Sequence, residues 1–297
     1  MGLDVIIIGG GFAGHAAAIQ LGRARRKVLL LDTGRPRNRF AASSHGFLGQ
    51  DGVPPDKLVK TFQLQLAAYA SVHQVPQRAT AVSSEDNGFA VGTDSESYVG
   101  RSIILAGGVR DHLPDISGLK NRWGTSVLHC PYCHGYEMNC AAVGVLGASD
   151  IAVHQAMLVR DWGPTTLFTQ GTLALSKEQR DMLGLRDVSI EDVPIAELVG
   201  HGKSLEAVRL ADGRLLQLSG LYVAPKTVVV GSLARDLGCD FEEGPTGRFI
   251  ATDQFQKISV PGVFAAGDAA APVSNAMMSA AAGARAGIGA HASLIFE

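Results

Sequence analysis

A glycine-rich loop close to the N terminus constrains the fold of this chain more than any other feature. The loop Gly9-Gly10-Gly11-Phe12-Ala13-Gly14 follows a short apolar run, residues 4–8, and precedes an alanine-rich segment, residues 15–23. The run predicts a β-strand and the segment predicts a helix. A second apolar run, residues 27–31, ends at Asp32, near the spacing of about 20 residues at which dinucleotide-binding folds carry an acid. Together these features predict a dinucleotide-binding fold.

Each part of the loop has a physical role in such a fold. Gly9 permits the tight turn, Gly11 lets backbone amides approach a pyrophosphate, and Gly14 lets the helix and strand pack closely. The N terminus of the helix faces the anion, and the acid meets a ribose hydroxyl. The loop alone does not distinguish FAD from NAD. The cofactor-binding residues predicted in this segment are Gly9, Gly11, Phe12, Ala13, Gly14 and Asp32.

The same pattern returns in weakened form in the middle of the chain. Residues 143–146 predict a strand, and a helix through residue 158 follows the loop 147–152. In register with the first copy, Ser149 replaces Gly11 and Gln170 replaces Asp32. A serine places a side chain where the pyrophosphate should lie, and Gln170 offers neither a carboxylate for a ribose diol nor a guanidinium for a 2′-phosphate. Binding of NAD(P)H by this second copy is therefore left open.

A third strand and helix are predicted near the C terminus. Residues 262–266 form a short apolar run that ends at Gly267-Asp268, and a helix rich in small residues is predicted over 275–294. The carboxylate of Asp268 is a suitable acceptor for the ribityl chain of a flavin, and the following helix N terminus would stabilise negative charge on the reduced ring. The alternative is that Asp268 only caps that helix.

The most reactive segment is His-Cys-Pro-Tyr-Cys-His-Gly-Tyr-Glu, residues 129–137. Two thiols at the spacing of Cys130 and Cys133 can close a small disulfide ring, and a nearby positive charge or helix start favours the thiolate. His134 directly follows the pair, and an unperturbed imidazole exchanges protons near neutral pH. We therefore predict Cys130, Cys133 and His134 to be catalytic.

Zinc binding is the structural alternative for the same segment. His129, His134 and Cys140 are near enough in sequence to complete a site with the pair, but no second CxxC and no spaced pair of histidines is present. We predict no metal site. The remaining cysteines, Cys140 and Cys239, are expected to be buried small apolar residues, as isolated cysteines tend to be.

Composition and charge exclude several classes of protein. The 297 residues carry 26 Lys plus Arg against 28 Asp plus Glu. The chain therefore has no net positive charge that would favour binding to the phosphates of nucleic acid. The longest charge-free stretch, residues 5–22, contains a glycine triplet, His15 and Gln20, and does not suit a membrane span. The first residues lack a positively charged region of the kind that opens a signal peptide. We expect a cytoplasmic protein that acts on a small or neutral partner.

Taken in this order, the features resemble the low-molecular-weight thioredoxin reductase family of flavoproteins over essentially the whole chain. The resemblance rests on the first glycine loop, Asp32, the segment 105–108 with Gly107, Gly267-Asp268 and the cysteine pair. It implies FAD as cofactor, a homodimer, and two domains that rotate relative to one another. It also implies that Cys133 faces the flavin, that Cys130 exchanges with substrate, and that His134 takes the place of an acid-base aspartate.

The resemblance adds two residues to the flavin site. It places the loop with His45 near the flavin, and among the arginines at 35, 37 and 39 we take Arg39 as a contact for the pyrophosphate. A solvated surface loop is the alternative for both.

The departures from the family are as informative as the matches. Typical members have a His-Arg-Arg run for NADPH where this chain has Thr169-Gln170-Gly171, and an Arg-Gln pair where it has Asn275-Ala276. The segment 130–137, with 37–39 and 45–47 upstream, is more similar to the branch that includes the gliotoxin, holomycin and romidepsin dithiol oxidases. That branch closes disulfides in small molecules and returns electrons to oxygen or a pyridine nucleotide.

The sequence thus predicts an α/β protein with two Rossmann-like dinucleotide-binding domains. The FAD domain is expected at residues 1–112 and 243–297, with a redox domain at 113–242 inserted into it. The predicted activity is FAD-dependent oxidation of a small-molecule dithiol to a disulfide. The alternatives are reduction of a thioredoxin-like protein with NAD(P)H or ferredoxin as donor, and a flavin or zinc redox sensor without catalysis.

Overall fold

The computed structural model describes residues 2–297 and contains the elements that the sequence predicts, with small differences at their ends. The strands are β1 (Leu3–Ile8), β2 (Val28–Leu31), β3 (Val72–Val75), β4 (Ala79–Glu85), β5 (Gly88–Thr93), β6 (Ser97–Leu105), β7 (Val109–His112), β8 (Val127–Leu128), β9 (Val143–Leu146), β10 (Thr165–Phe168), β11 (Val188–Glu191), β12 (Ile195–Val199), β13 (Ala207–Leu210), β14 (Leu215–Gln217), β15 (Gly220–Tyr222), β16 (Lys226–Val229), β17 (Phe241–Glu243), β18 (Arg248–Ile250) and β19 (Val263–Ala265).

Most of the helices follow a strand of a parallel sheet, as in an alternating α/β fold. They are α1 (Phe12–Arg23), α2 (Pro55–Leu66), α3 (Leu119–Arg122), α4 (Pro131–His134), α5 (Ile151–Val159), α6 (Lys177–Leu185), α7 (Leu233–Asp236) and α8 (Ala276–Phe296). In the described part of the chain, none of them combines the length and the apolar character that crossing a membrane requires.

The chain forms two compact units. The first contains residues 2–39, 47–110 and 227–297, and the second contains residues 40–46 and 111–226. The sequence places the second crossing near residue 243, whereas residues 227–242 pack with the first unit. Leu233 and Ala234 lie in the same core as Ile6, and the amide of Val230 donates to the carbonyl of Gly108 at 3.0 Å.

The first unit is built on a parallel sheet with the order β3-β2-β1-β6-β19, which β5 and β4 extend in antiparallel fashion beside β6. In the register of this sheet Ile8 pairs with both Leu31 and Leu105, and Leu105 pairs with Ala265. The carboxyl ends of four strands therefore lie in one row. Since ligands of open α/β sheets bind at carboxyl ends, this row is the expected place for a site.

Apolar residues cover both faces of this sheet. On one face Val5 and Ile7 pack with α1 and α8, and on the other Ile6 packs with residues that include Ile103 and Val263. Helices α1 and α8 approach each other through small residues: a methyl group added at Gly287 would lie 2.7 Å from the carbonyl oxygen of Ala17. The alternating burial of β1 thus fixes its register in a sheet covered on both faces.

The second unit has its own parallel sheet, with the order β11-β10-β9-β15-β8, and a small antiparallel sheet of β12, β13 and β14. Tyr222 pairs with both Val145 and Leu128, so the carboxyl ends of β9, β15 and β8 are neighbours. The segment 40–46 belongs to this unit because Phe40 lies against Gly124, where an added methyl group would meet its Cβ at 2.6 Å. The predicted α/β class with two Rossmann-like units is confirmed.

Candidate active site

The first glycine loop is shaped by contacts that only glycine allows. Gly9 has a φ of +108°, and a side chain there would collide with the carbonyl of Ala106. A side chain at Gly14 would collide with the carbonyl of Gly9. At Gly11, by contrast, an added Cβ meets nothing within 4 Å. The loop is therefore closed toward the sheet and open above Gly11, as a pyrophosphate cradle requires.

The open space continues along the row of carboxyl strand ends. Gly107 and Gly108, which follow β6, also have nothing within 4 Å of an added Cβ. A small apolar cavity beside them is lined by residues that include Ile8, Leu105 and Ala269. At Gly11, Gly107 and Gly108 the backbone thus leaves space that no other protein atom fills within 4 Å of an added Cβ.

Asp32 is held at the edge of this cradle. The amide of Gly10 donates to its Oδ1 at 3.1 Å, and an added Cβ at Gly10 would lie 2.6 Å from its carboxyl carbon. The acid is therefore fixed against the loop, in a position that suits a hydrogen bond to a ribose hydroxyl.

Asp268 lies at the turn after β19, and both of its carboxylate oxygens have donors. Arg37 Nη1 donates to Oδ2 at 2.9 Å, and Ser279 Oγ donates to Oδ1 at 3.1 Å. Asn275 is the residue that caps α8, through its side-chain oxygen and the amide of Met278 at 2.9 Å. The alternative in which Asp268 caps this helix is therefore wrong.

The other predicted cofactor residues of this unit lie around the same row. Ala13 is buried, and an added Cβ at Gly267 would lie 3.0 Å from its side chain. The ring of Phe12 packs edge-on against Phe47 and Phe62, with centroids 5.4 Å apart in each case. Arg39 donates to the carbonyl of Pro36 at 2.9 Å, and its predicted role at the pyrophosphate stays a prediction. Arg37 contacts Asp268, a predicted flavin residue.

The second unit carries the cysteine pair directly after β8. Cys130 and Cys133 form a disulfide, with their Cα atoms 5.3 Å apart. Cys130 precedes α4, and Pro131 occupies the first turn of this helix. Proline suits that position because its missing amide hydrogen would have no partner there. The local sequence therefore folds the two sulfurs onto one short turn.

The indole ring of Trp162 packs against the turn that carries the cysteine pair. An added Cβ at Gly135 would lie 2.7 Å from Cδ1 of the indole, and the ring of Tyr132 packs edge-on against it with centroids 5.3 Å apart. The side-chain amide of Gln155 donates to the carbonyl of His129 at 2.8 Å. Sequence reasoning missed both residues, since a lone Trp and a helical Gln give no signal of their own.

His134 is the buried titratable group beside the pair. Both of its ring nitrogens are buried and have no hydrogen-bond partner among the described residues. Burial lowers the pKa of His134, the charge of His45 lowers this pKa further, and the carboxylate of Glu137 raises it. His134 is therefore a neutral base at neutral pH.

His45 lies in the second unit together with the cysteine pair. Its Nε2 is 3.5 Å from Oε1 of Glu137, with side chains 21% and 39% exposed respectively. Its predicted role as a flavin contact stays a prediction. Sequence reasoning missed Glu137, although it ends the segment that contains the cysteines.

Comparison with known proteins identifies the family. A model of the pyridine nucleotide-disulphide oxidoreductase family matches residues 3–287. The chain belongs to this family. It is an oxidoreductase of thiols and disulfides that resembles thioredoxin reductases, and its cofactor is FAD. The predicted resemblance, enzyme class and cofactor are confirmed.

Individual relatives cover nearly the whole oxidoreductase. It is 31% identical to the thioredoxin reductase sirT of Leptosphaeria maculans, over 96% of this chain and 92% of that protein. The crystal structure of an oxidoreductase from Agrobacterium tumefaciens matches with a TM-score of 0.95 and 44% identity, covering 100% and 99% of the two chains. The crystal structure of HlmI matches with a TM-score of 0.91 and 37% identity, covering 99% and 93%.

The second glycine loop of the oxidoreductase is less suited to a nucleotide than the first. An added Cβ at Gly147 would lie 2.6 Å from the carbonyl oxygen of Phe168, so this glycine serves the packing of two strands. Thr169 Oγ1 donates to Asp192 at 2.8 Å, and Gln170 Oε1 accepts from the amide of Ile195 at 3.3 Å. The side chains in the place of the family's NADPH-binding residues therefore bond within the protein.

The remaining cysteines of the oxidoreductase differ from one another. Cys239 is buried, as predicted. The prediction that Cys140 is buried is wrong, because it is exposed. Asn139 and Cys140 both have positive φ, 50° and 58°, and this left-handed turn leads out to β9. In the described part of the chain no group of three or more His, Cys, Asp or Glu side chains could hold a metal ion.

Proposed function

We propose that this oxidoreductase oxidises a small-molecule dithiol to a disulfide through Cys130 and Cys133. Bound FAD would supply the redox chemistry that links the cysteine pair to oxygen or NAD(P) as final electron acceptor. The observation that carries the direction is the second glycine loop, where Thr169 and Gln170 bond within the protein and Ser149 stands at the position of closest approach. A chain that receives electrons from a thiol does not need NADPH as donor.

The residues of the second unit supply the thiol chemistry. His134, neutral at working pH, accepts the proton of one substrate thiol. The resulting thiolate attacks the sulfur of Cys130, which breaks the Cys130–Cys133 bond and releases Cys133 as a thiolate. The second substrate thiol loses its proton to solvent and attacks the substrate sulfur that is bound to Cys130. This step forms the substrate disulfide, breaks the mixed disulfide and releases Cys130 as a thiolate. The substrate thus loses two electrons and two protons.

Bound FAD would supply a two-electron acceptor for the reduced Cys130–Cys133 pair. The residues proposed to hold it are those of the first unit: the loops at Gly9–Gly14 and Gly107, together with Asp32, Gly267 and Asp268. Arg39 is proposed as a contact for the pyrophosphate, and Arg37, which is bonded to Asp268, is proposed as a second arginine of this site. We further propose a cytoplasmic homodimer, as the family resemblance implies.

A thioredoxin reductase-like activity is the second candidate. The name of the relative from Leptosphaeria maculans favours it, since that protein is called a thioredoxin reductase. In this candidate the same residues work in reverse, with NAD(P)H or ferredoxin as electron donor and a thioredoxin-like protein as acceptor.

An anaerobic titration separates the two candidates. The purified holoenzyme is mixed with dithiothreitol, NADPH or NADH, and the flavin absorbance is followed. We expect rapid bleaching by the dithiol, slow or no bleaching by either nucleotide, and recovery with peroxide formation when air returns. Bleaching by NADPH as fast as by the dithiol would overturn the proposed direction and support the reductase.

A further inference from the structure

His15 is a buried titratable group of the first unit that the proposed mechanism does not use. It lies in the first turn of α1, directly after the glycine loop, and only 2% of its surface is exposed. A buried imidazole needs partners for both of its ring nitrogens, because an unpaired polar atom inside a protein costs free energy. The structure supplies both partners, and one of them belongs to the proposed FAD cradle.

The first partner of the imidazole is the glycine loop. Nδ1 of His15 lies 3.0 Å from the carbonyl oxygen of Gly11, which also accepts the backbone amide of His15 at 3.1 Å. Since a carbonyl oxygen only accepts, the ring hydrogen lies on Nδ1. Gly11 is the N-cap of α1, and no side chain caps this helix among the described residues. The side chain of His15 therefore holds the start of the helix through the carbonyl of Gly11.

Neighbouring elements hold the other side of the ring. Nε2 of His15 lies 3.0 Å from the side-chain amide nitrogen of Gln74 in β3, and with the hydrogen on Nδ1 it accepts from that amide. The ring of Phe62 in α2 packs against the imidazole with centroids 5.6 Å apart. Burial lowers the pKa of His15, against the bond to Gly11 and the charge of Asp32. The imidazole is thus a neutral link between the glycine loop and β3.

The bond to the carbonyl of Gly11 also orients an amide of the cradle. This carbonyl and the amide of Phe12 belong to one planar trans peptide unit, in which they point in opposite directions. Since the carbonyl points along α1 toward His15, the amide of Phe12 points out of the helix start. A glycine has more backbone freedom than any other residue, so a second bond to its carbonyl restricts this peptide unit.

We propose that His15 is a positioning residue for FAD, which it serves by holding the carbonyl of Gly11 so that the amide of Phe12 faces the cradle. The inference rests on the FAD site proposed at the glycine loop, and it assigns His15 no contact with the cofactor. Without the bond to Nδ1, the peptide unit between Gly11 and Phe12 has more freedom, and ordering this unit on binding costs affinity.

Two substitutions of His15 separate this role from packing. His15→Leu keeps the position apolar and filled but removes the donor to Gly11. His15→Asn carries a side-chain amide that can donate to the carbonyl four residues earlier, but it is smaller and a poorer helix former than leucine. FAD affinity is measured by diluting the holoenzyme and following the fluorescence of released FAD. Thermal unfolding measures the stability of the apoproteins. If His15→Leu does not fold, His15→Met replaces it.

The two measurements should rank the variants in opposite order. His15→Leu should bind FAD about fivefold more weakly than the wild-type protein, which is the effect of one hydrogen bond, and His15→Asn should stay within about twofold of it. His15→Asn should nevertheless be the less stable apoprotein, because it leaves a cavity beside Phe62 and Gln74. An unchanged affinity in His15→Leu, or an affinity that follows stability, would overturn the inference.

The hydrogen on the imidazole is tested in the wild-type holoenzyme. Nuclear magnetic resonance of the ring nitrogens shows which of them carries hydrogen, with the signals of His15 assigned from the His15→Leu variant. A hydrogen on Nδ1 is expected at neutral pH, because the carbonyl of Gly11 accepts it. Its absence would overturn the inference, whatever the affinities of the variants.

A matched control lies in the second unit. His154 occupies the first turn of α5, which follows the second glycine loop, and it is exposed. His154→Leu is therefore expected to leave FAD affinity unchanged. Gly11→Ala separates failure of the inference from failure of the proposed site. If Gly11→Ala binds FAD as tightly as the wild-type protein, the proposed cradle fails and the inference fails with it. If Gly11→Ala weakens binding whereas His15→Leu does not, only the inference fails.

Discussion

Gly135 lies against the indole ring of Trp162, without room for a side chain between them. A methyl group at Gly135 would come to 2.7 Å from both Cδ1 and Cγ of the ring and to 2.6 Å from the carbonyl oxygen of Pro131. These distances are well inside van der Waals contact, and the neighbours include backbone. The backbone of Gly135, next to the cysteine pair, therefore packs directly against the indole ring of Trp162.

Gly135→Ala is expected to destabilise the fold by about 1–3 kcal/mol and to slow the reduction of the cysteine pair by a dithiol. Denaturant unfolding and stopped-flow reduction measure the two effects. The control is Gly184→Ala in α6, where an added methyl group meets nothing within 4 Å and stability should rise by up to about 1 kcal/mol. Equal behaviour of the two variants would show that Trp162 does not constrain the turn.

Substitutions at two glycines of the first loop should separate effects on folding from effects on cofactor binding. Gly11→Ala has room within the protein, so the variant is expected to fold with a stability near that of the wild-type apoprotein. Its methyl group would occupy the space proposed for the pyrophosphate, so FAD affinity should fall by about tenfold or more. The ratio of flavin to protein absorbance after purification, and a fluorescence titration with FAD, measure the loss.

Gly14→Ala is expected to behave differently, because its methyl group collides with the carbonyl of Gly9 and not with the cofactor. The variant should lose stability even as apoprotein, by about 1–3 kcal/mol. Thermal unfolding of the Gly11→Ala and Gly14→Ala apoproteins compares their stabilities. If Gly11→Ala binds FAD as the wild-type protein does, the cradle is not where we propose it.

The pH dependence of the thiol reaction follows from the environment of His134. Burial, with the charge of His45, holds its pKa below the ordinary value of 6.5 against the opposing charge of Glu137. The neutral, proton-accepting form is lost as the pH falls through this lowered pKa. The rate of reduction by a dithiol should therefore stay high down to pH 6.5 and decline only below it.

His134→Gln should remove this acid limb and lower the rate at pH 7 by about a hundredfold. The remaining rate should rise steadily with pH, because the substrate thiol must then ionise without a base. Stopped-flow measurements from pH 5 to 8 give both profiles. An acid limb that persists in the variant would assign the base to another residue.

Local patterns predicted the parts of this protein better than their assembly. The loops at Gly9 and Gly267 and the cysteine pair were each found from neighbouring residues, since strand, turn and helix signals are local. The loops at Gly9 and Gly267 lie in one row because Ile8 and Ala265 both pair with Leu105. No local sequence pattern contains this strand register. The strand order supplies this relationship.

Contacts between distant segments lay outside the reach of these patterns. The bond from Arg37 to Asp268 joins residues more than two hundred positions apart. The contact between Glu137 and His45 likewise joins segments that are far apart in the chain. Tertiary packing sets the contacts between distant segments, and the spacing of residues along the chain does not predict them.

The two remaining cysteines provide a direct test of burial. Cys140 is exposed, whereas Cys239 is buried, and burial raises the pKa of its thiol to about 11. The thiolate is the form that reacts with iodoacetamide, so only Cys140 should be alkylated in the native oxidised protein at pH 8. Mass spectrometry should find one modified cysteine, and modification of Cys239 should require unfolding. Cys140→Ser is the control and should leave the native protein unmodified. Rapid modification of Cys239 in the native state would show that its core opens readily, since a buried thiol reacts only when local unfolding exposes it.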